Sequence, residues 1–331
     1  MPSLRSTLQT IFVLAPALTV ALPADSRRIA ARDGHLAAAS GAASMAASAT
    51  AEAAPAAASS GAAAPPAGGL NDVDILQFAL TAEHLESEFY KQGFAKFPAA
   101  DFQALGLSDA QIKSLQNVGQ TEATHVSTLL GVISGAGAQP VQPCEYNFDA
   151  AFADAKTMVA TARILEAVGV SAYLGAAPLV SSKDVLTAAA TIVTVEARHQ
   201  AFIRVASGAE AVPAAFDTPL GPKAVFTLAA QFIKSCPEGS NLNIAPFPSI
   251  ALENAAAATP GQNLKLADAA QPAGAQFCAF VAPGGAQFVP LAGGNCAVPQ
   301  GLQGEVYMML TKSESVDDAE VLAGPSVIQP S

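Results

Sequence analysis

Two of the four histidines stand three residues after a glutamate: Glu122 precedes His125, and Glu196 precedes His199. Residues at i and i+3 share one helix face, so each pair presents a carboxylate and an imidazole to a single point. With 14 glutamates in 331 residues, a given histidine has roughly a 4 % chance of such a neighbour, and two of four on the order of 1 %, so coincidence is a weak explanation. Two further glutamates each have a tyrosine seven residues downstream, two turns along a helix: Glu83 with Tyr90 and Glu166 with Tyr173. The chain order is Glu-x6-Tyr, Glu-x-x-His, Glu-x6-Tyr, Glu-x-x-His. One glutamate from each of two helices and one Glu-x-x-His from each of two others is how the core of a helical bundle holds a pair of metal ions. Four carboxylates balance two divalent cations, and oxygen and imidazole donors without thiolate suit iron or manganese.

Tyr90 and Tyr173 would donate hydrogen bonds that orient carboxylates, or act as redox-active phenols. Core aromatics with their hydroxyls satisfied elsewhere are the plainer alternative. For the six ligand candidates the alternative is a buried polar network without metal, which is unstable when only half satisfied. Glu86 shares a face with Glu83 and rivals it; the repeated spacing to tyrosine selects Glu83. His84 lies one residue off that face and reads as surface or packing, and His35 carries no argument.

Helices must position these groups. Between Asp72 and Cys236 apolar residues recur at helical spacing, and punctuation divides the stretch into four long segments and a shorter fifth. The expected helices run from about 72 to 92, stopping at Gly93; from 108 to 131, with Ser108 and Gln111 placed for a capping box; and from 148 to 174. Two more run from 182 to 207, closed by Gly208, and from 222 to 235, opening on Pro222. Glu122 and His125 fall on the face of Leu115, Val118 and Leu129, and Glu196 and His199 fall with Ile192 and Ile203. Charges on an apolar face are unfavourable unless paired or bound to a cation. The 131–147 gap holds Pro140 and Pro143 and is long for a bundle; crossing its full height accounts for that length. Beyond Cys236 the texture changes: 276–282 and 286–292 flank Pro283-Gly284-Gly285, and 305–311 reads as another strand. Residues 237–331 are expected to form a small β-rich, sandwich-like domain, with the acidic run 314–320 as a solvated loop.

The chain carries a net charge of −11 and is 51 % hydrophobic but only 6 % aromatic. An acidic surface repels phosphate backbones, which argues against nucleic acid as a partner. Residues 1–21 combine Arg5, an apolar run and small residues, the parts of a secretory signal too short to span a bilayer. Residues 22–69, rich in Ala, Ser, Gly and Pro, read as propeptide or disordered linker, with Arg27-Arg28 either a dibasic processing site or a solvated pair. The terminus Ile328-Gln-Pro-Ser has no hydrophobic tail for a membrane anchor. The four cysteines are widely spaced without Cys-x-x-Cys, so two disulfides are expected. Three connectivities are formally open; the placement of the cysteines favours Cys144 with Cys236 and Cys278 with Cys296.

The runs Asp74-Ile-Leu-Gln-Phe-Ala-Leu-Thr-Ala-Glu-His-Leu-Glu, Phe216-Asp-Thr-Pro-Leu and Phe232-Ile-Lys-Ser-Cys-Pro resemble the secreted fungal branch of ferritin-like proteins. That branch includes stress-response and late-sexual-development proteins and is similar to plant desiccation-related proteins. The resemblance covers residues 70–236 and extends through Gly304-Glu-Val-Tyr-Met-Met-Leu-Thr. It implies a mainly α fold, a ferritin-like four-helix bundle with a fifth short helix, ahead of the β-rich domain. It further implies Glu83 and Glu166 as terminal ligands, Glu122 and Glu196 as bridging ligands, and His125 and His199 as imidazole ligands of two iron or manganese ions. The implied partners are metal ions and dioxygen or peroxide, and the implied location is extracellular, with the β-rich domain a candidate for cell-wall contact. Two roles stay open: an oxidoreductase oxidising ferrous iron or consuming peroxide, and a non-catalytic stress, desiccation or cell-wall protein. Ferritin-like bundles host many functions, so the fold does not choose between them.

Overall fold

The computed structural model describes residues 70–238, 240, 244–254, 258–267 and 272–329. The expected signal segment, the dibasic pair, His35 and the 22–69 linker lie outside them. The chain begins with α1 (Asp72–Lys96), the short α2 (Ala99–Ala104) and α3 (Asp109–Gly135). After a long connection carrying β1 (Glu145–Tyr146) come α4 (Ala155–Ala176), α5 (Lys183–Ala206) and α6 (Pro222–Ala230). Helices α1 and α3 pack as one pair and α4 and α5 as the other, and the four form a bundle.

Local chemistry sets the boundaries. Asn71 and Ser108 cap α1 and α3 with reciprocal capping boxes through Asp74 and Gln111, satisfying amides that have no partner in the first turn. Gly93 does not end α1, which continues to Lys96. Its role is close approach: a Cβ there would overlap Met158 Cε of α4. Helix α4 begins seven residues later than the apolar pattern suggests, because Asp154 accepts from the Thr157 amide and fixes the start. Helix α6 stops at Ala230, and Ile233–Ser235 becomes β2, paired antiparallel with β1.

The connection from α3 to α4 runs the length of α1. The Val141 amide donates to Gln77 Oε1 near one end of that helix, and Lys96 Nζ donates to the Phe152 carbonyl at the other. The Cys144–Cys236 disulfide joins this connection to β2. Among the described residues one helical stretch, Ala155–Leu179, is long and apolar enough by composition to cross a membrane, but α4 is buried because it packs against α1, α5 and α6.

Beyond residue 237 the fold is β-rich. Strands β4 (Phe277–Ala282), β5 (Gly285–Pro290), β7 (Val306–Thr311) and β8 (Val321–Ile328) form an antiparallel sheet of order β5-β4-β7-β8. A two-stranded sheet joins β3 (Asn263–Lys265) to β6 (Asn295–Ala297). Side chains alternate across the larger sheet. Cys278, Phe280, Met308 and Leu310 pack with Leu264, Leu266 and Val298 toward the small sheet, where Cys278 is bonded to Cys296. Ala279, Val281, Tyr307 and Met309 pack instead on Phe78, Val168, Val225 and Leu228 of the helices. The central strands are thus covered on both faces, which is why they read as unbroken apolar runs.

Candidate metal centre

The four paired motifs fall at the middle of α1, α3, α4 and α5, on the faces those helices turn toward one another. Glu83, Glu122, Glu166 and Glu196 have no solvent exposure, and His125 and His199 are buried beside them. Their donor atoms form two groups, Glu83, Glu122, His125 and Glu196 in one, and Glu122, Glu166, Glu196 and His199 in the other, each with all atoms within 4.8 Å of one another. Glu122 and Glu196 belong to both. His125 Nδ1 lies 3.3 Å from Glu83 Oε2, 3.1 Å from Glu122 Oε2 and 3.0 Å from Glu196 Oε1. His199 Nδ1 lies 2.7 Å from Glu122 Oε1 and 3.2 Å from Glu166 Oε2.

The fit of this set to a cation pair is testable on hydrogen bonding. Glu83 Oε2, Glu122 Oε1, Glu166 Oε2, both oxygens of Glu196 and His199 Nδ1 are buried without a hydrogen-bond partner. The short His199–Glu122 approach is therefore proximity rather than an aligned hydrogen bond. Buried polar atoms are otherwise almost always paired, so lone pairs converging from four helices have the arrangement a pair of cations would satisfy.

The outward-facing atoms of the same residues are held. Tyr90 of α1 donates to Glu166 Oε1 of α4 at 2.5 Å, and Tyr173 of α4 donates to Glu83 Oε1 of α1 at 2.5 Å. Each tyrosine thus serves the glutamate of the other helix. Burial, then the adjacent carboxylates, pushes both phenols well above their usual range, so both remain donors. Thr121 Oγ1 donates to the Val118 carbonyl and lies 2.9 Å from His199 Nε2. A hydroxyl so committed accepts from Nε2–H, which orients the ring so that Nδ1 is the nitrogen turned toward the carboxylates.

The electrostatics have one cause, negative charge crowded away from water. Burial lifts Glu83 to about 7 against the pull of His125. Burial and then the Glu122 charge push Glu196 well above the carboxylate range. Burial and then the Glu196 charge do the same to Glu86. Glu122 alone goes down, to about 2, because the two imidazoles outweigh its burial. His125 rises to about 12 and His199 to about 10, since the carboxylates beside each overcome the effect of burial. Without a cation, protons must be shared through the cluster for so many carboxylates to be buried together.

Glu86 is buried but outside both groups, whereas Glu83 has an oxygen in one. His84 is buried and its Nε2 lies 3.3 Å from the Val141 carbonyl, a packing role against the crossing connection. Sequence reading did not single out Thr121 or Gly169. A Cβ on Gly169 would lie 2.9 Å from both Glu196 Oε2 and Glu86 Oε1, so the absence of a side chain there makes room for the shared carboxylate.

Residues 71–209 match the family model of the ferritin-like domain. The match ends with α5, so the ferritin-like domain includes all six candidate ligands and leaves α6 and the β-rich region outside. Protein rds1 of Schizosaccharomyces pombe is 27 % identical over 203 residues, 56 % of this chain and 49 % of that protein. The chain therefore spans about half the length of this relative. The helical ferritin-like domain agrees with the fold that the resemblance implies, and the β-rich region after it with the alternating runs beyond Cys236.

Proposed function

We propose that the ferritin-like domain holds two iron or manganese ions and reacts with dioxygen or peroxide, as an extracellular protective oxidoreductase. Glu83 and Glu166, each in one donor group, and Glu122 and Glu196, in both, would hold the ions through carboxylate oxygens, with His125 and His199 as the imidazole ligands. The observation that carries this reading is the membership of Glu122 and Glu196 in both donor groups, since shared carboxylates are what a metal pair requires and two separate ion pairs do not. When bound, such a pair supplies redox equivalents for dioxygen or peroxide. The chain's own residues do the rest: Tyr90 and Tyr173 hold Glu166 and Glu83 in place, and Thr121 fixes the orientation of the His199 ring. Two formed disulfides support an oxidising compartment.

Anaerobic loading with ferrous iron followed by metal analysis is expected to find about two metals per chain, and a Glu122→Ala, Glu196→Ala variant close to none. No retained metal in the unaltered chain overturns the reading. An oxygen electrode then separates roles: metal without consumption of dioxygen or peroxide makes the centre a staple of the four helices.

A further inference from the structure

At the end of the bundle where α1 and α5 begin, a cavity of about 260 Å³ lies between α1, α3, α4 and α5. Its size comes from alanines: Ala79 and Ala82 of α1, Ala172 and Ala176 of α4, Ala188 and Ala189 of α5. The opposite end is filled by the rings of Phe89, Phe97, Phe102, Phe148 and Phe152, so the space is particular to one end and not a loosely packed bundle. Thr128 and Thr191, both exposed, mark its mouth between α3 and α5.

The inner wall adjoins the candidate metal centre. Tyr173 lines the cavity with its ring while its hydroxyl donates to Glu83. Leu129 lies one helical turn beyond His125, and Ile192 one turn before Glu196; both line the same wall. Apart from the exposed Asp184 of α5 and the two threonines, the walls are apolar and offer almost nothing to replace the hydration shell of a cation, so they do not suit passage of ferrous iron. They suit a molecule that gains by leaving water. An apolar cavity of about 150 Å³ accepts benzene, so this larger one has room for roughly one fused two-ring aromatic or an alkyl chain of about ten carbons.

We propose that this cavity is the binding site for one uncharged, apolar organic molecule, held with its inner end against Tyr173 on the flank of the metal centre. Its placement beside a metal pair rests on the function proposed above; its apolar selectivity rests on the cavity alone. The test is calorimetric titration of the metal-loaded full chain with 2-naphthol, with n-decanol as competitor and metal content measured in the same samples. One naphthol per chain, a negative heat-capacity change, displacement by n-decanol and at least tenfold weaker binding in Ala189→Phe are expected. Ala176→Leu, a smaller filling, is the second variant should Ala189→Phe not fold. Absence of saturable binding to a metal-loaded chain overturns the inference, as does binding that neither variant weakens. Binding by a chain that retains no metal overturns the metal centre instead and confines the site to an apolar cavity.

Discussion

At the residue scale, the centre depends on groups with no ligand chemistry of their own. Gly169 sits on α4 between Glu86 and Glu196, and a methyl there would crowd both carboxylates at 2.9 Å. Both contacts are to ends of flexible side chains, so the backbone need not move. Gly169→Ala is expected to leave helix content and melting temperature close to those of the unaltered chain while weakening metal affinity about 10- to 100-fold, the range seen when the support of a ligand is disturbed. Circular dichroism and metal titration on one preparation check this; unchanged affinity would mean Glu196 is not a shared ligand. The six candidate ligands were legible because spacing at i and i+3 and two-turn repeats project directly onto helix faces. Thr121 and Gly169 were not. A threonine's partner across the bundle and a glycine's missing side chain acquire meaning only when the facing helix is in place.

At the element scale, the bundle and the β-rich region share one core and one buried ion network. Glu305, just ahead of β7, accepts from Arg163 Nε of α4 at 2.6 Å, Arg204 Nη1 of α5 at 2.5 Å and Gln200 Nε2 at 3.0 Å. Tyr307 adds a hydrogen bond to the Ala167 carbonyl. Replacing Glu305 with leucine leaves two guanidinium groups without their carboxylate, so Glu305→Leu is expected to lower unfolding free energy by about 3–5 kcal/mol. Urea denaturation followed at 222 nm would show it, and a change below about 1 kcal/mol would make the network dispensable. Strand β8 escaped sequence reading because Gly324-Pro325 interrupts it. Proline is tolerated in a strand at a sheet edge, and β8 is an edge strand of the larger sheet. The ends of α1 and α6 depart from the apolar pattern for a related reason: Gly93 is used for contact with Met158 rather than as a stop, and the last residues of the apolar run after Pro222 are taken by pairing with β1.

At the scale of the whole molecule, the Cys144–Cys236 disulfide joins two connections that are 92 residues apart in sequence, while all six candidate ligands lie on helices between or before them. The chain-entropy account gives a loop of that length about 4–5 kcal/mol of stabilisation through the unfolded state, against about 3 kcal/mol for the 18-residue separation of Cys278 and Cys296. A Cys144→Ser, Cys236→Ser variant should therefore lose the larger amount in denaturant titration. Its metal stoichiometry should hold at temperatures where it stays folded, because no ligand is on the crossing connection and the hydrogen bonds from Gln77 and Lys96 still tie that connection to α1. Loss of metal from a folded variant would show instead that the disulfide sets the position of α1, and with it Glu83. A Cys278→Ser, Cys296→Ser variant is the control: its bond lies between the two sheets, on the face of the larger sheet turned away from the helices, so it should lower stability by the smaller amount and leave metal binding unchanged.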